Sequence, residues 1–231
     1  MKKSYIVFPG LLLMSLSFNS YAQNAGKVKP EAKAEMTAGS GSHEKAVQFV
    51  ASLNLTDTAK AARVTSVIET HMNAVHDWHN SHAYTLTPEG INPITGKIFS
   101  KLERQLIIDS TIPQTVHDDL MKGLRKDLTE DQVAEILDKY TIGKVAFTMN
   151  GYKSIIPDMT LAEETEILTN LKLAREQAVD YKDVKEVSII FKIYKTKNED
   201  YLNNHGRNWK QIYKSYVDKV LAQKAANKKE N

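Results

Sequence analysis

The sequence predicts an all-α protein: a single helical domain of about eight helices, preceded by an export signal and a linker. Three observations carry this. Apolar residues recur at three- and four-residue spacing from Val47 to Val220, good helix starts punctuate that pattern, and no segment alternates with the two-residue period of a strand. Met149-Asn150-Gly151-Tyr152 is the one place where a hairpin turn could hide.

Residues 1–22 read as a secretory signal. Lys2 and Lys3 precede a short apolar run, Ile6 to Phe18, and Ser20-Tyr21-Ala22 supplies a small-x-small cleavage site. Cleavage after Ala22 would remove two lysines and no acid, so the net charge of +3 falls by two. A near-neutral chain argues against electrostatic capture of nucleic acid. The absence of cysteine excludes disulfides, thiol catalysis and a lipidated cysteine anchor. No later stretch approaches 18 consecutive apolar residues, so no membrane anchor is expected after cleavage, and the address is periplasmic or secreted. Residues 23–42 have the composition of a disordered linker, 43–222 form the helical domain, and 223–231 form a frayed basic tail.

After a short helix from about Glu44 to Leu53, the organising element is Thr56 to His82, with Thr56 or Asp57 as its cap. At 100° per residue, Val67, Ile68, His71, Val75, Trp78 and His82 fall within about 60° of Val64. His79 lies on the shoulder of that stripe and His76 well off it. Burying a tryptophan withdraws about 200 Å² from water, worth roughly 5 kcal/mol, so Trp78 reads first as core and His71 as a satisfied buried histidine. The sharper reading makes both part of a pocket wall. His76, His79 and His82 form H-x-x-H-x-x-H, but with no cysteine and no H-E-x-x-H a solvated helix end explains them, and no metal or other cofactor is expected.

Ala83 to Lys97 is irregular because two prolines and two glycines interrupt it. It is either a functional loop or a connection that packs Leu86, Ile91 and Ile94 on the core. Ile98 to Asp109 is a helix with Leu102, Leu106 and Ile107 apolar. Pro113 opens another with Val116, Leu120, Met121 and Leu124, and Asp118 and Asp119 are solvated in its early turns. Thr129 and Gln132 make a capping box, which by itself explains an L-T-x-x-Q run also found in small periplasmic helical chaperones. Gly143 to Ile156 is helical despite two glycines. Thr160 caps a helix to about Tyr181, with Ile167, Leu171, Ala174, Ala178 and Tyr181 as its stripe, and Glu163, Glu164 and Glu166 as dipole-compatible surface. Asp183 to Asn204 follows, with Val187, Phe191, Tyr194, Asn198 and Tyr201 on one face. Gly206 is the left-handed cap, and Asn208 starts the last helix at Trp209.

Two tryptophan-centred polar clusters stand at helix ends: Asp77, Trp78, His79 and Asn80, and then Asn203 to Trp209. Aromatic rings beside Asn, Arg and Asp suit a sugar, whose C–H face stacks and whose hydroxyls need paired donors and acceptors. Trp78, Asn80, Arg207, Asn208 and Trp209 are the candidate ligand-binding residues, with His71 and Asp77 in support. Two core tryptophans with ordinary caps are the alternative. No catalytic residues emerge.

The runs D-W-H-N (Asp77–Asn80), G-I-N-P-I-T-G-K (Gly90–Lys97), G-L-R-K-D-L-T-E-D-Q-V (Gly123–Val133) and Y-L-N-N-H-G-R-N-W (Tyr201–Trp209) resemble a family of secreted bacterial proteins. That family is the domain of unknown function number 3826, labelled sugar-binding, and the resemblance spans about Lys45 to Val217. It implies a periplasmic or secreted protein of polysaccharide-using bacteria and supplies no catalytic residues. It also implies a basic residue at the position of His76, which counts against a triple-histidine metal site. The expected function is non-catalytic carbohydrate binding during extracellular glycan use. A glycan-active hydrolase or lyase and a periplasmic helical chaperone are the rivals. The ligand and the oligomeric state are left open.

Overall fold

Local rules set where the helices begin. In the computed structural model, which describes residues 38–93 and 95–229, Asp57 caps α2 (Thr58–Ser81) by accepting from the Lys60 amide at 3.0 Å. Capping boxes start α3 (Lys101–Asp109) at Ser100 and Glu103, α5 (Glu130–Tyr140) at Thr129 and Gln132, and α7 (Leu161–Ala178) at Thr160 and Glu163. α4 (Gln114–Asp127) follows Pro113, and α6 (Lys144–Ile155) follows Gly143 at φ 67°. α8 (Val184–Asn204) ends at Gly206, φ 89°, with the Arg207 amide donating back to the Leu202 carbonyl at 3.0 Å. Asn208 then caps α9 (Trp209–Lys229) through the Gln211 amide at 3.1 Å.

The fold is a single all-α domain, with nine α-helices and one 3₁₀ turn (Tyr84–Leu86) among the described residues. Met149-Asn150-Gly151-Tyr152 lies within α6, and its Met149 and Tyr152 are buried. None of the described helices is long and apolar enough to cross a membrane. The expected signal peptide lies outside the described residues. α1 (Ala38–Ala51) begins inside the segment expected to be linker, and its packing on α2 buries Ser42 completely. α9 likewise continues through most of the expected tail.

Two apolar clusters form the core. One joins α1, α2, α4 and α5 through Val64, Ile68, Leu120, Leu124 and Ile136. The other joins α6 to α9 through Tyr152, Ile167, Leu171, Ile190, Leu202 and Trp209. α7 spans the seam: its stripe serves the second cluster, and Val179 just beyond it joins the first. The α7 stripe is buried, Ile167–Leu171–Ala174–Ala178–Tyr181; on α2, Val64, Ile68, His71 and Val75 are buried, while Val67, Trp78 and His82 of the same expected stripe are only half-buried.

One of the two readings of the loop after α2 is excluded, and one expectation is corrected. Leu86 and Ile91 are 60% and 65% exposed, so they do not pack on the core; Ile94 lies outside the described residues. The loop is held on α3 by polar contacts instead. Arg104 donates to the Thr87 carbonyl from Nε at 2.9 Å and from Nη2 at 2.7 Å, and Asn92 Nδ2 donates to Glu103 at 3.1 Å. Ile91 and Ile98 form one isolated antiparallel bridge. Second, Glu163 is not surface: it is buried, because Arg207 reaches it from the α8–α9 turn.

Gly123 sets the approach of α4 to α2. A Cβ there would meet the Val67 methyls at 2.7 and 2.8 Å, and a β-branched residue on a helix has no rotamer to retreat into. Gly123→Ala gains about 1 kcal/mol of helix propensity but overpacks at about 2 kcal/mol. A net loss of about 1 kcal/mol is expected in urea unfolding; an unchanged or raised midpoint would show that the α2–α4 contact is loose.

Candidate functional site

Polar residues converge where the two apolar clusters meet, because side chains there belong fully to neither. The first group comes from three helices. His79, near the end of α2, brings Nδ1 to 2.6 Å from Asp109 Oδ2, at the last residue of α3. Glu186, in the first turn of α8, is fully buried, with Oε1 3.8 Å from His79 Nδ1. Gln105 Nε2 donates to Asp109 Oδ1 and to the His82 carbonyl, both at 2.9 Å. The Asp183 amide donates to Glu186 Oε2 at 3.1 Å, while Glu186 Oε1 has no hydrogen-bond partner. Burial, with the Asp109 carboxylate beside it, pushes the Glu186 carboxyl up to about 8.

The second group is a chain of hydrogen bonds. Asp180, just beyond α7, binds His71 Nε2 through Oδ1 at 3.0 Å and His117 Nδ1 through Oδ2 at 2.9 Å. His71 Nδ1 lies 3.2 Å from the Tyr140 hydroxyl, which donates to the Ile68 carbonyl at 3.3 Å. Burial alone would raise the Asp180 carboxyl, but the bonds from His117 and His71 outweigh it and hold it below its ordinary value. The bond to Asp180 raises His117 above the usual imidazole range against its partial burial. Burial carries the Tyr140 phenol well up, with Asp180 adding to the shift.

The two groups share a cavity of ≈ 160 Å³, lined by Asp109, Gln114, His117, Gln177, Asp180 and Tyr181, with Ile112 and Pro113 at its α3–α4 edge. Burial pushes the Tyr181 phenol up to about 12, and the nearby Asp180, Glu186 and Asp109 charges add to this against a hydrogen bond from Gln177. At neutral pH the wall thus offers a neutral phenol, an imidazole, two amides and two carboxyl groups. A second cavity of ≈ 270 Å³ lies between α2 and α4 and includes His71, Thr70 and Asp119.

The residues predicted from sequence are distributed differently from the expectation. His71 sits in the Asp180 chain, 3% exposed. Trp78 is half-buried: it stacks on His82 with centroids 3.7 Å apart, and its indole N–H points at the Ile108 carbonyl at 3.4 Å. Asn80 is exposed and accepts from Lys182 Nζ at 2.6 Å; Asp77 is exposed in the last turn of α2. Arg207 is engaged by Glu163 at 2.8 and 3.0 Å and by Asp158 at 2.9 Å, with its Nη2 also donating to the Asp158 carbonyl. Asn208 is an exposed helix cap. Trp209 is 8% exposed and packs on Tyr152 and Tyr213. Among the described residues the two indoles make no ring contact with each other: α2 packs chiefly on α1 and α4, and α9 on α6 and α8. The three histidines do not converge either. His79 turns to Asp109, and His82 Nδ1 donates to the Trp78 carbonyl at 2.9 Å.

Asp109, His117, Asp180 and Glu186 were not singled out from the sequence. One signal was available for two of them. Asp109 ends α3 and Asp180 follows α7, and the negative pole of a helix disfavours an acid there unless a cation or donor compensates. Glu186 gave no such signal, because its place in a helix start explains it fully.

A search of curated proteins returns no similar sequence. The profile of one family, described as protein of unknown function (DUF3826), matches residues 40–222. That span takes in every side chain of the seam, and the chain belongs to the DUF3826 family.

Proposed function

We propose that this is an exported protein that binds a saccharide residue non-catalytically, in the cavity at the seam between the two helical clusters. One observation carries the reading: a concave site the size of about one sugar ring, lined by the polar side chains of Asp109, Gln114, His117, Gln177, Asp180 and Tyr181. His71 supports it by orienting Asp180 from behind. Export rests on Lys2, Lys3, the apolar run to Phe18 and the Ser20-Tyr21-Ala22 site.

The rival with an observation of its own is a lyase acting on uronides. His117 and Tyr181 share the cavity and could serve as base and acid in a β-elimination. A hydrolase fits less well. Asp109 and Glu186 offer oxygens within 4.8 Å of each other, closer than the roughly 5–9.5 Å that carboxyl groups of retaining and inverting glycosidases span.

The test is titration calorimetry of the purified chain against neutral and acidic mono- and oligosaccharides, with absorbance at 235 nm followed for unsaturated product. Binding without turnover is expected, weakened about tenfold or more in Asp180→Asn, since a hydrogen bond to a charged group is worth about 1.5–3 kcal/mol, and several-fold in Gln177→Ala, since a neutral one is worth about 0.5–1.5 kcal/mol. Undiminished binding in both variants, or none by the wild type, would overturn the reading. A rise in absorbance would transfer the site to the lyase.

A further inference from the structure

We propose that His79, Asp109 and Glu186 form a site for one divalent transition-metal ion, Zn²⁺ or Mn²⁺ in chemical class. The inference does not rest on the saccharide reading.

The three side chains come from α2, α3 and α8, and one ligand atom from each lies within 4.8 Å of the other two. The orientation of the carboxyl groups is the stronger point. Each has one oxygen already bound to a protein donor: Asp109 Oδ1 to Gln105, and Glu186 Oε2 to the Asp183 amide. Each turns its remaining oxygen toward His79 Nδ1, at 2.6 Å for Asp109 and 3.8 Å for Glu186. A donor on the far oxygen is the arrangement that orients a monodentate metal ligand.

Glu186 gives the independent observation. It is fully buried, and no N–H or hydroxyl donor reaches Oε1, the oxygen facing the cluster, whose neighbours are the Asp109 carboxyl and His79. A buried oxygen left so is costly, and the fold already satisfies the other oxygen of the same group. A cation among the three atoms satisfies Oε1, and two carboxylates balance a dication.

One imidazole nitrogen with two carboxylate oxygens suits Zn²⁺ or Mn²⁺ better than Ca²⁺, which takes six to eight oxygens, or Mg²⁺, which keeps its waters. Three protein ligands leave further positions for water. Asp109 also lines the ≈ 160 Å³ cavity.

Without metal, His79 Nδ1 is bonded directly to Asp109 Oδ2. The charged neighbours facing Glu186 are Asp109 on α3, His79 on α2 and Asp183 at the start of α8. Tyr181 beyond them stays neutral. An imidazole and two carboxyl groups must all be deprotonated to hold a cation, so metal binding releases protons and tightens as pH rises.

The experiment uses the untagged full chain, freed of metal by chelation and titrated by calorimetry with Zn²⁺, Mn²⁺, Ca²⁺ and Mg²⁺ at two pH values. Metal content is read by mass spectrometry. One equivalent of Zn²⁺ or Mn²⁺ is expected, with proton release and tighter binding at the higher pH. Glu186→Gln keeps the cap acceptor but should weaken binding by more than about 100-fold, beyond the 10–100-fold typical of outer-sphere partners. His79→Gln should do the same, and His76→Gln, outside the cluster, should bind as wild type. Zn²⁺ should raise the melting temperature of the wild type and leave that of Glu186→Gln nearly unchanged. No uptake by the wild type, uptake undiminished in Glu186→Gln, or equal loss in His76→Gln would each overturn the proposal. Loss of saccharide binding alone would leave it standing.

Discussion

Trp209→Ala is expected to lower stability by about 4 kcal/mol, the largest effect of any single substitution considered, and to leave metal uptake unchanged if the chain stays folded. The indole is 8% exposed and sits between Tyr152, at 5.4 Å between centroids, and Tyr213, at 5.8 Å. Its amide is held as well, donating to Asn203 Oδ1 at 2.9 Å. Truncation removes the apolar contact that ties α9 to α6 and opens a cavity that two flanking rings cannot both close. For a domain of this length each kcal/mol shifts the melting temperature by about 2–4 °C, so a fall on the order of 10 °C should appear in calorimetry. A fall of a degree or two, with saccharide affinity lost, would return Trp209 to the ligand site and remove it from the core.

Arg207→Met should cost about 2 kcal/mol at pH 7, from hydrogen bonds to charged groups that the apolar side chain cannot make. Arg207 clamps the α8–α9 turn onto Glu163 and Asp158 at the entry to α7. The Arg207 bonds, helped by the Thr160 amide and hydroxyl and opposed by burial, hold the Glu163 carboxyl down from 4.5 to about 2. A depressed carboxyl contributes stability above its unfolded value and loses it as the folded form is protonated. The wild-type advantage over Arg207→Met should therefore be full at pH 6 and shrink as pH falls from 4.5 toward 2. Urea midpoints of both proteins across that range give the measurement. A constant gap down to pH 2 would mean that the guanidinium acts by packing alone.

These two residues show what could be read without coordinates. The Gly206–Asn208 helix break was legible because a left-handed glycine followed by a capping asparagine is a rule about neighbours. The same holds for Thr129 with Gln132, for Thr160 as a cap and for Asp57 as one of two candidate caps, whose partners lie within three residues. The buried stripes of α2 and α7 were legible because a helix repeats its faces. The placement of Arg207 and Trp209 in a binding wall was a different kind of inference. It took two polar-aromatic clusters of similar composition to be neighbours, and composition carries no distance.

The seam lay beyond that reach. His79 meets Asp109 across 30 positions, His117 meets Asp180 across 63, and His71 meets Asp180 across 109. No local rule specifies such pairs; only the packing of α2, α3, α4 and α8 around the end of α7 brings them together. Packing of Leu86 and Ile91 on the core, one of the two readings their loop allowed, does not occur, because Arg104 holds the loop by its backbone. The sequence alone determined that the chain is helical, where most helices start and which faces turn inward, because those follow from neighbours a few residues apart. Tertiary structure alone decided which acids lose water and meet histidines, because the free energy of a buried charge depends on what the rest of the chain brings beside it.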